Sequence, residues 1–171
     1  MRIDGDGIFL TSISYDDAED IVRWRNSDEI QKHFIYRQKF TVEGQHRWIK
    51  EKVEPGLVAQ FIIWDKQTNT KIGAVYLRDI DKVNKKCEYG IFIGESDYIG
   101  KGIGKECYRL MFDYAFNTLG LNKMCIRIIS DNMRSIKCAE KMGFKVEGTF
   151  VGDIWLDEKP VDVVYLAKFR G

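Results

Sequence analysis

Tyr98-Ile99-Gly100-Lys101-Gly102-Ile103-Gly104 is the stretch on which the fold turns. It follows an apolar run that ends near Ile93. It opens a segment in which Ile103, Cys107, Leu110, Met111, Tyr114 and Ala115 recur with a period near 3.6, the signature of an amphipathic helix. Three alternate glycines at the start of a helix suit an anion. Glycine lets the backbone curl so that successive N–H groups aim at one point, and the helix adds the positive end of its dipole. A pyrophosphate is the natural guest, with Lys101 or Lys105 at the rim. A P-loop needs GxxxxGK[ST], but Glu106 follows Gly104-Lys105 and position 99 is Ile. The dinucleotide fingerprint also fails, because the spacing is GxGxG and the turn follows a mid-chain strand. Read as structure alone, the same turn is a tight strand-to-helix connection.

Working outward, Gly120 ends the helix, residues 124–129 read as a strand, and a second helix from Asn132 to Met142 is closed by Gly143. Residues 144–150 and 161–169 form a last strand pair. On the N-terminal side, 61–64 and 71–77 read as a hairpin across a polar turn, and 87–93 as the next strand. Further upstream, Ser14 or Asp16 can cap a helix through residues 17–25, and another starts at Thr41 and stops at Pro55-Gly56. The expected fold class is α/β (α+β): a mixed, mostly antiparallel sheet of about seven strands flanked by about four helices. One domain over 1–171 is expected, with helices at about 14–54 and a core at about 58–169.

Composition narrows the function. Lys plus Arg number 27 against 26 Asp plus Glu, a formal charge of +1, so the strong basic balance of a nucleic-acid binder is missing. A 44% hydrophobic content is ample for a core. No apolar run approaches the ~20 residues of a membrane span. The first residues are acidic and Gly-rich, with only Ile8-Phe9-Leu10 apolar, so a signal peptide is not expected and the cytoplasm is. Four cysteines without a CxxC pair, and only His33 and His46, argue against a metal site.

The run Asn132…Gly143-Phe144…Glu147-Gly148, joined to the glycine turn, resembles the GNAT N-acetyltransferase superfamily from about residue 72 to the C-terminus. The resemblance implies an acetyl-CoA-dependent transferase acting on a small-molecule amine. The turn Ile99, Gly100, Lys101, Gly102, Ile103, Gly104 would hold the pyrophosphate of acetyl-CoA, Phe92 and Ile93 on the preceding strand the pantetheine arm, and Asn132 its other side. Two positions depart from the family pattern: Ile99 stands where Arg or Gln is usual, and Ala139 where many relatives carry a tyrosine that protonates the leaving thiolate. Tyr98, Tyr89 or solvent are the substitutes left open.

Acetyl transfer needs a neutral amine. For a lysine-like amine of pKa ~10.4 deprotonation costs about 4.6 kcal/mol at pH 7, and for one of about 7.7–8 it costs near 1 kcal/mol. A carboxylate can act as base and an oriented N–H can polarise the thioester carbonyl. Glu88 is the candidate base and the Ile93 N–H the candidate oxyanion donor; Glu88 also reads as an exposed strand residue paired with Lys85 or Lys86.

Acceptor choice is expected in the N-terminal helices. Trp24, Arg25, Asn26 and His46, with aromatics between them, suit a planar anionic molecule; the other reading makes Trp24 and Trp48 core anchors and Arg25 a surface charge, and for Trp24 alone the core reading is the stronger. This stretch resembles the branch that acetylates UDP-linked amino sugars, as in pseudaminic acid synthesis, which implies that acceptor. Acetylation of protein N-termini or of polyamines is the alternative, and a CoA-binding module without turnover the reading from another class. A homodimer is left open.

Overall fold

The computed structural model describes Met1–Gly171. Eight strands form one sheet in the order β1-β2-β3-β4-β5-β6-β8-β7. They are β1 (Arg2–Asp4), β2 (Ile8–Ser12), β3 (Ala59–Asp65), β4 (Thr70–Asp81), β5 (Lys86–Ile93), β6 (Lys123–Ile129), β7 (Lys145–Leu156) and β8 (Lys159–Phe169). The helices are α1 (Ala18–Arg25), α2 (Asp28–Gln31), α3 (Val42–Trp48), α4 (Ile103–Asp113) and α5 (Met133–Lys141). The additions to the expected elements are the N-terminal hairpin β1–β2 and the single turn α2. α3 continues into a π-helical turn, Ile49–Val53, before Pro55. No helix is long and apolar enough to cross a membrane.

The sheet has two covered faces because its strands alternate. Leu10, Val75, Leu77, Cys87, Tyr89, Met124 and Leu166 pack with Cys107, Met111 and Ala139 of α4 and α5. On the other face Ile62, Ala74 and Phe92 pack against Ile21 and Trp24 of α1, Ile30 and Ile49. All sheet pairs are antiparallel except β5 with β6.

That parallel pair is short. It holds for Lys86↔Lys123, Cys87↔Met124 and Glu88↔Cys125 and then ends, so β5 beyond Glu88 and β6 beyond Cys125 separate. The split opens the middle of the sheet just before the glycine turn. It positions everything that follows.

Candidate active site

The glycine turn is exposed and its conformation demands glycine at two places. Gly100 and Gly102 have φ of 83° and 82°, a left-handed backbone that residues with a Cβ avoid. The amides of residues 100–104 find no acceptor in the protein: the flanking bonds are Ile99 N–H to Ser96 O and Lys105 N–H to Gly102 O. Five consecutive donors at the start of α4 are therefore free for an anion. Gly104 has no positive φ and open space around a would-be Cβ, so nothing in the fold explains its lack of a side chain. Lys101 Nζ sits 4.8 Å over the Tyr98 ring, beside the same turn.

The β5 edge is polarised by its register. Gly94 N–H donates to Ile72 O at 2.8 Å, which sets the phase of the β4–β5 ladder. Phe92 therefore exchanges its hydrogen bonds with Ala74, while Ile91 and Ile93, opposite Val75 and Gly73, turn their N–H and C=O groups to the open split. Of the two β5 positions expected at the cofactor, Ile93 offers its backbone. Phe92 offers only its ring, which faces α1.

Two cavities meet at the split. The larger, about 490 Å³, lies between α1, α3 and the sheet and includes Arg25, Lys39, Gln45, Tyr76 and Arg78. The smaller, about 180 Å³, is lined from both faces: Tyr36, Glu88 and Arg127 on one side, Tyr89, Ile91, Asn132 and Ser135 on the other. It therefore runs through the sheet where β5 and β6 part. Arg25, Tyr36, Tyr76 and Arg78 belong to both. Gly90 makes this junction, because a Cβ there would collide with the Tyr76 ring lying across it.

Charge is placed unevenly. Glu88 does not pair with Lys85 or Lys86, as its neighbours in sequence suggested. One oxygen takes Arg78 and the other takes Arg127 Nε at 2.8 Å, with all three side chains largely shielded from solvent. Arg127 also reaches the Tyr36 hydroxyl at 3.4 Å. Arg25 is buried and has no carboxylate partner; it donates to Tyr36 O at 3.4 Å and stacks 3.8 Å from the Phe34 centroid and 4.5 Å from that of Phe40. Burial, reinforced by Arg78, holds the Arg25 pKa below its ordinary value. In the larger cavity Gln45 Nε2 and Arg78 Nε are buried donors without an acceptor. His33, at the rim of the smaller cavity, is lowered by burial and by nearby Lys32 and Arg134.

Other expected acceptor residues do structural jobs. Trp24 is 1% exposed and lines neither cavity; its Nε1 donates to Glu95 at 2.8 Å and its ring meets Phe92. Its place in the core corrects its placing in the acceptor pocket. Asn26 exchanges two hydrogen bonds with the backbone of Phe40, at 2.9 and 2.8 Å, and so pins the pocket wall. His46 faces Tyr15 O at 3.3 Å and lies outside both cavities. Asn132 lines the smaller cavity and caps α5, accepting from Ser135 N–H at 3.2 Å. Arg78, Arg127, Tyr36 and Tyr76 were not singled out from sequence. The alternation of charge on β4 and β5 could have flagged Arg78 opposite Glu88; nothing local marks Arg127.

A split sheet beside a helix with free N-terminal amides can seat an anionic ligand, and the comparisons identify the family. Residues 8–145 match the family model described as an acetyltransferase (GNAT) domain. The chain belongs to that family. An uncharacterised protein of Methanocaldococcus jannaschii is 32% identical over 141 residues, 81% of this chain and 28% of that one. A spermidine N(1)-acetyltransferase of Escherichia coli is 29% identical over 100 residues, 58% of this chain and 53% of its own. The chain thus spans about a quarter and about half of these two relatives. The crystal structure of spermidine N-acetyltransferase from Vibrio cholerae, in complex with CoA and spermine, superimposes with a TM-score of 0.88 over 95% of both chains at 21% identity.

Proposed function

We propose that the chain transfers acetyl from acetyl-CoA to the primary amine of a small molecule that also carries an anionic group, of which a nucleotide-linked amino sugar is one form. The observation that carries this reading is Arg25, a buried guanidinium without a counter-charge, facing both cavities. Buried charges are paired in proteins, and a phosphate or carboxylate of the acceptor supplies the partner. The unclaimed polar atoms nearby, Gln45 Nε2 and Arg78 Nε, are donors as well, so an acceptor-rich ligand suits them.

Polyamine acetylation is the second reading, and the relatives favour it over the nucleotide sugar: two of the three described above act on spermidine by name. Against it stands the larger cavity, where Arg25, Lys39 and Arg78 face a single carboxylate, Asp79. A polycation entering there meets like charge.

In this reading the free amides of residues 100–104 hold the diphosphate and the open edge of β5 takes the pantetheine. The Ile93 N–H polarises the thioester carbonyl. Glu88 is the only carboxylate of the through-sheet cavity and receives the amine proton through water, its two ion pairs fixing its orientation. A homodimer belongs to the same proposal, since edge strand β7 leaves Val151 and Trp155 exposed at 84% and 71%.

An acceptor panel decides between the readings. Thiol release from acetyl-CoA is measured with spermidine, an N-terminal peptide, amino-sugar phosphates and UDP-linked amino sugars, alongside the melting shift given by UMP. Turnover of spermidine alone, with no shift by any phosphate, refutes the anionic acceptor.

A further inference from the structure

The two cavities share four side chains, Arg25, Tyr36, Tyr76 and Arg78. These form the neck between the α1–α3 side of the sheet and the split. Strand alternation puts Glu88, Gly90 and Phe92 on one face of β5, about 6.7 Å apart in turn. Glu88 lines the through-sheet cavity, the Tyr76 ring lies across Gly90, and the Arg25 guanidinium stands 5.7 Å from the Phe92 centroid. Carboxylate, phenol and guanidinium therefore follow one another along the strand.

Two of the neck groups have unused capacity. Arg25 is 8% exposed and commits only Nη2 to a hydrogen bond, with Tyr36 O at 3.4 Å. Its Nε and Nη1 have no protein partner, and unlike the hydroxyls of Tyr89 and Tyr108 they are not sealed off, so they open on the neck. The Tyr76 hydroxyl is in the same state. Burial raises the Tyr76 pKa against the nearby charges of Arg78 and Arg25, so the phenol keeps its proton and can donate. A guanidinium and a phenol facing one gap match the two oxygens of a carboxylate. Arg78 and Arg127 do not compete for it, because Glu88 already holds both. An amine separated from its anion by a sugar ring would put the uncharged ring, not the anion, between Tyr76 and Arg25.

We propose that the acceptor is an α-amino acid, in which amine and carboxylate share one carbon. This rests on the anionic-acceptor reading above and narrows it. The carboxylate lies in the neck on Arg25 and Tyr76, and the amine points on toward Glu88 and the split. The side chain stays in the cavity of about 490 Å³, whose apolar wall is Ile21, Phe40, Trp48 and Phe92. A carboxylate beside an amine favours the protonated amine, so pairing it with Arg25 eases the loss of that proton. The nitrogen bonds to the acetyl carbon as the carbon–sulfur bond breaks, and the proton given up by the nitrogen balances the one that completes the free thiol. Three contacts around one carbon also distinguish its two mirror forms.

The test measures thiol release from acetyl-CoA with the common amino acids in both hands, with the amines left by removing their carboxylates, and with dipeptides that move the carboxylate away from the amine. One hand of an amino acid should exceed its decarboxylated amine in kcat/KM by about a hundredfold or more, the scale on which a site with placed donors rejects an analogue lacking their partner. In Arg25→Met that ratio should fall toward one. In Tyr76→Phe, which keeps the ring across Gly90, it should fall severalfold. A ratio taken within one variant does not depend on how much of that variant folds. Equal use of amino acid and amine, equal use of the dipeptide, or a ratio unchanged in Arg25→Met overturns the assignment. Turnover of an amino-sugar phosphate or a UDP-linked amino sugar, with no amino acid used, also overturns it but leaves the anionic-acceptor reading standing. Turnover of spermidine alone removes that reading itself.

Discussion

The Arg25 guanidinium rests 3.8 Å from the centroid of Phe34 and 4.5 Å from that of Phe40, its charge answered by two ring faces and one carbonyl instead of a carboxylate. An aromatic face stabilises a cation by about 0.5–2 kcal/mol, far short of what burying a charge costs. On the anionic-acceptor proposal, the acceptor's phosphate or carboxylate supplies the missing partner. Replacing Arg25 by Met should raise the acceptor KM about 10–100-fold, the range of one charge-assisted hydrogen bond, while acetyl-CoA KM stays. Steady-state kinetics with each substrate varied checks this; a polyamine acceptor would instead gain from the loss of the cation.

Gly104 offers a separation of stability from binding. Alanine is favoured over glycine within a helix by roughly 0.5–1 kcal/mol, and open space surrounds the added Cβ. Gly104→Ala should therefore melt no lower than the wild type and yet bind acetyl-CoA at least tenfold more weakly, as followed by calorimetry. Unaltered binding would show that the α4 amides do not meet the carrier.

Glu88 carries two loads. Glu88→Gln leaves Arg78 and Arg127 without their shared anion, and removing one partner of a shielded pair costs up to about 3–5 kcal/mol, so the urea midpoint should drop. If it takes the amine proton as proposed, Glu88→Gln should also lower kcat at least a hundredfold. A fall in stability with kcat intact would leave Glu88 as an anchor for the two arginines only.

Acid lability has a defined contributor. The Trp24 indole N–H, and then Arg23, hold the Glu95 carboxyl below the usual carboxylate range. A depressed folded pKa adds stability above the unfolded value of about 4.3, and that contribution disappears as pH falls through the folded value. Unfolding followed from pH 7 to pH 3 should show Glu95→Gln losing less stability than the wild type below about pH 4.3. Parallel curves would place the acid sensitivity elsewhere.

What could be read in advance was local. The α4 period and the glycine spacing lie within some 20 consecutive residues, and both appear as expected. Asn132 appears at the head of α5 for the same reason. The ion-paired Glu88 was hidden, since its partners lie 10 positions before and 39 after it in the chain. Only the β4–β5 register and the short parallel pair bring them together. Trp24 and Arg25 adjoin in sequence, yet one is core and the other faces a cavity, because a helix rotates neighbours about 100° apart. The hairpin β1–β2 escaped notice for lack of length: a three-residue strand and one apolar run carry no period.

That hairpin bears on the carrier site from a distance. Glu106, in the first turn of α4, accepts the amides of Asp6 and Gly7, the latter at 3.0 Å, and Arg109 reaches Asp6 at 3.1 Å. The helix whose first amides are free is thereby moored to the outermost corner of the sheet. Amino-terminal tags or trims are consequently not innocent changes: they tug on the anchorage of the element that opens with the glycine turn.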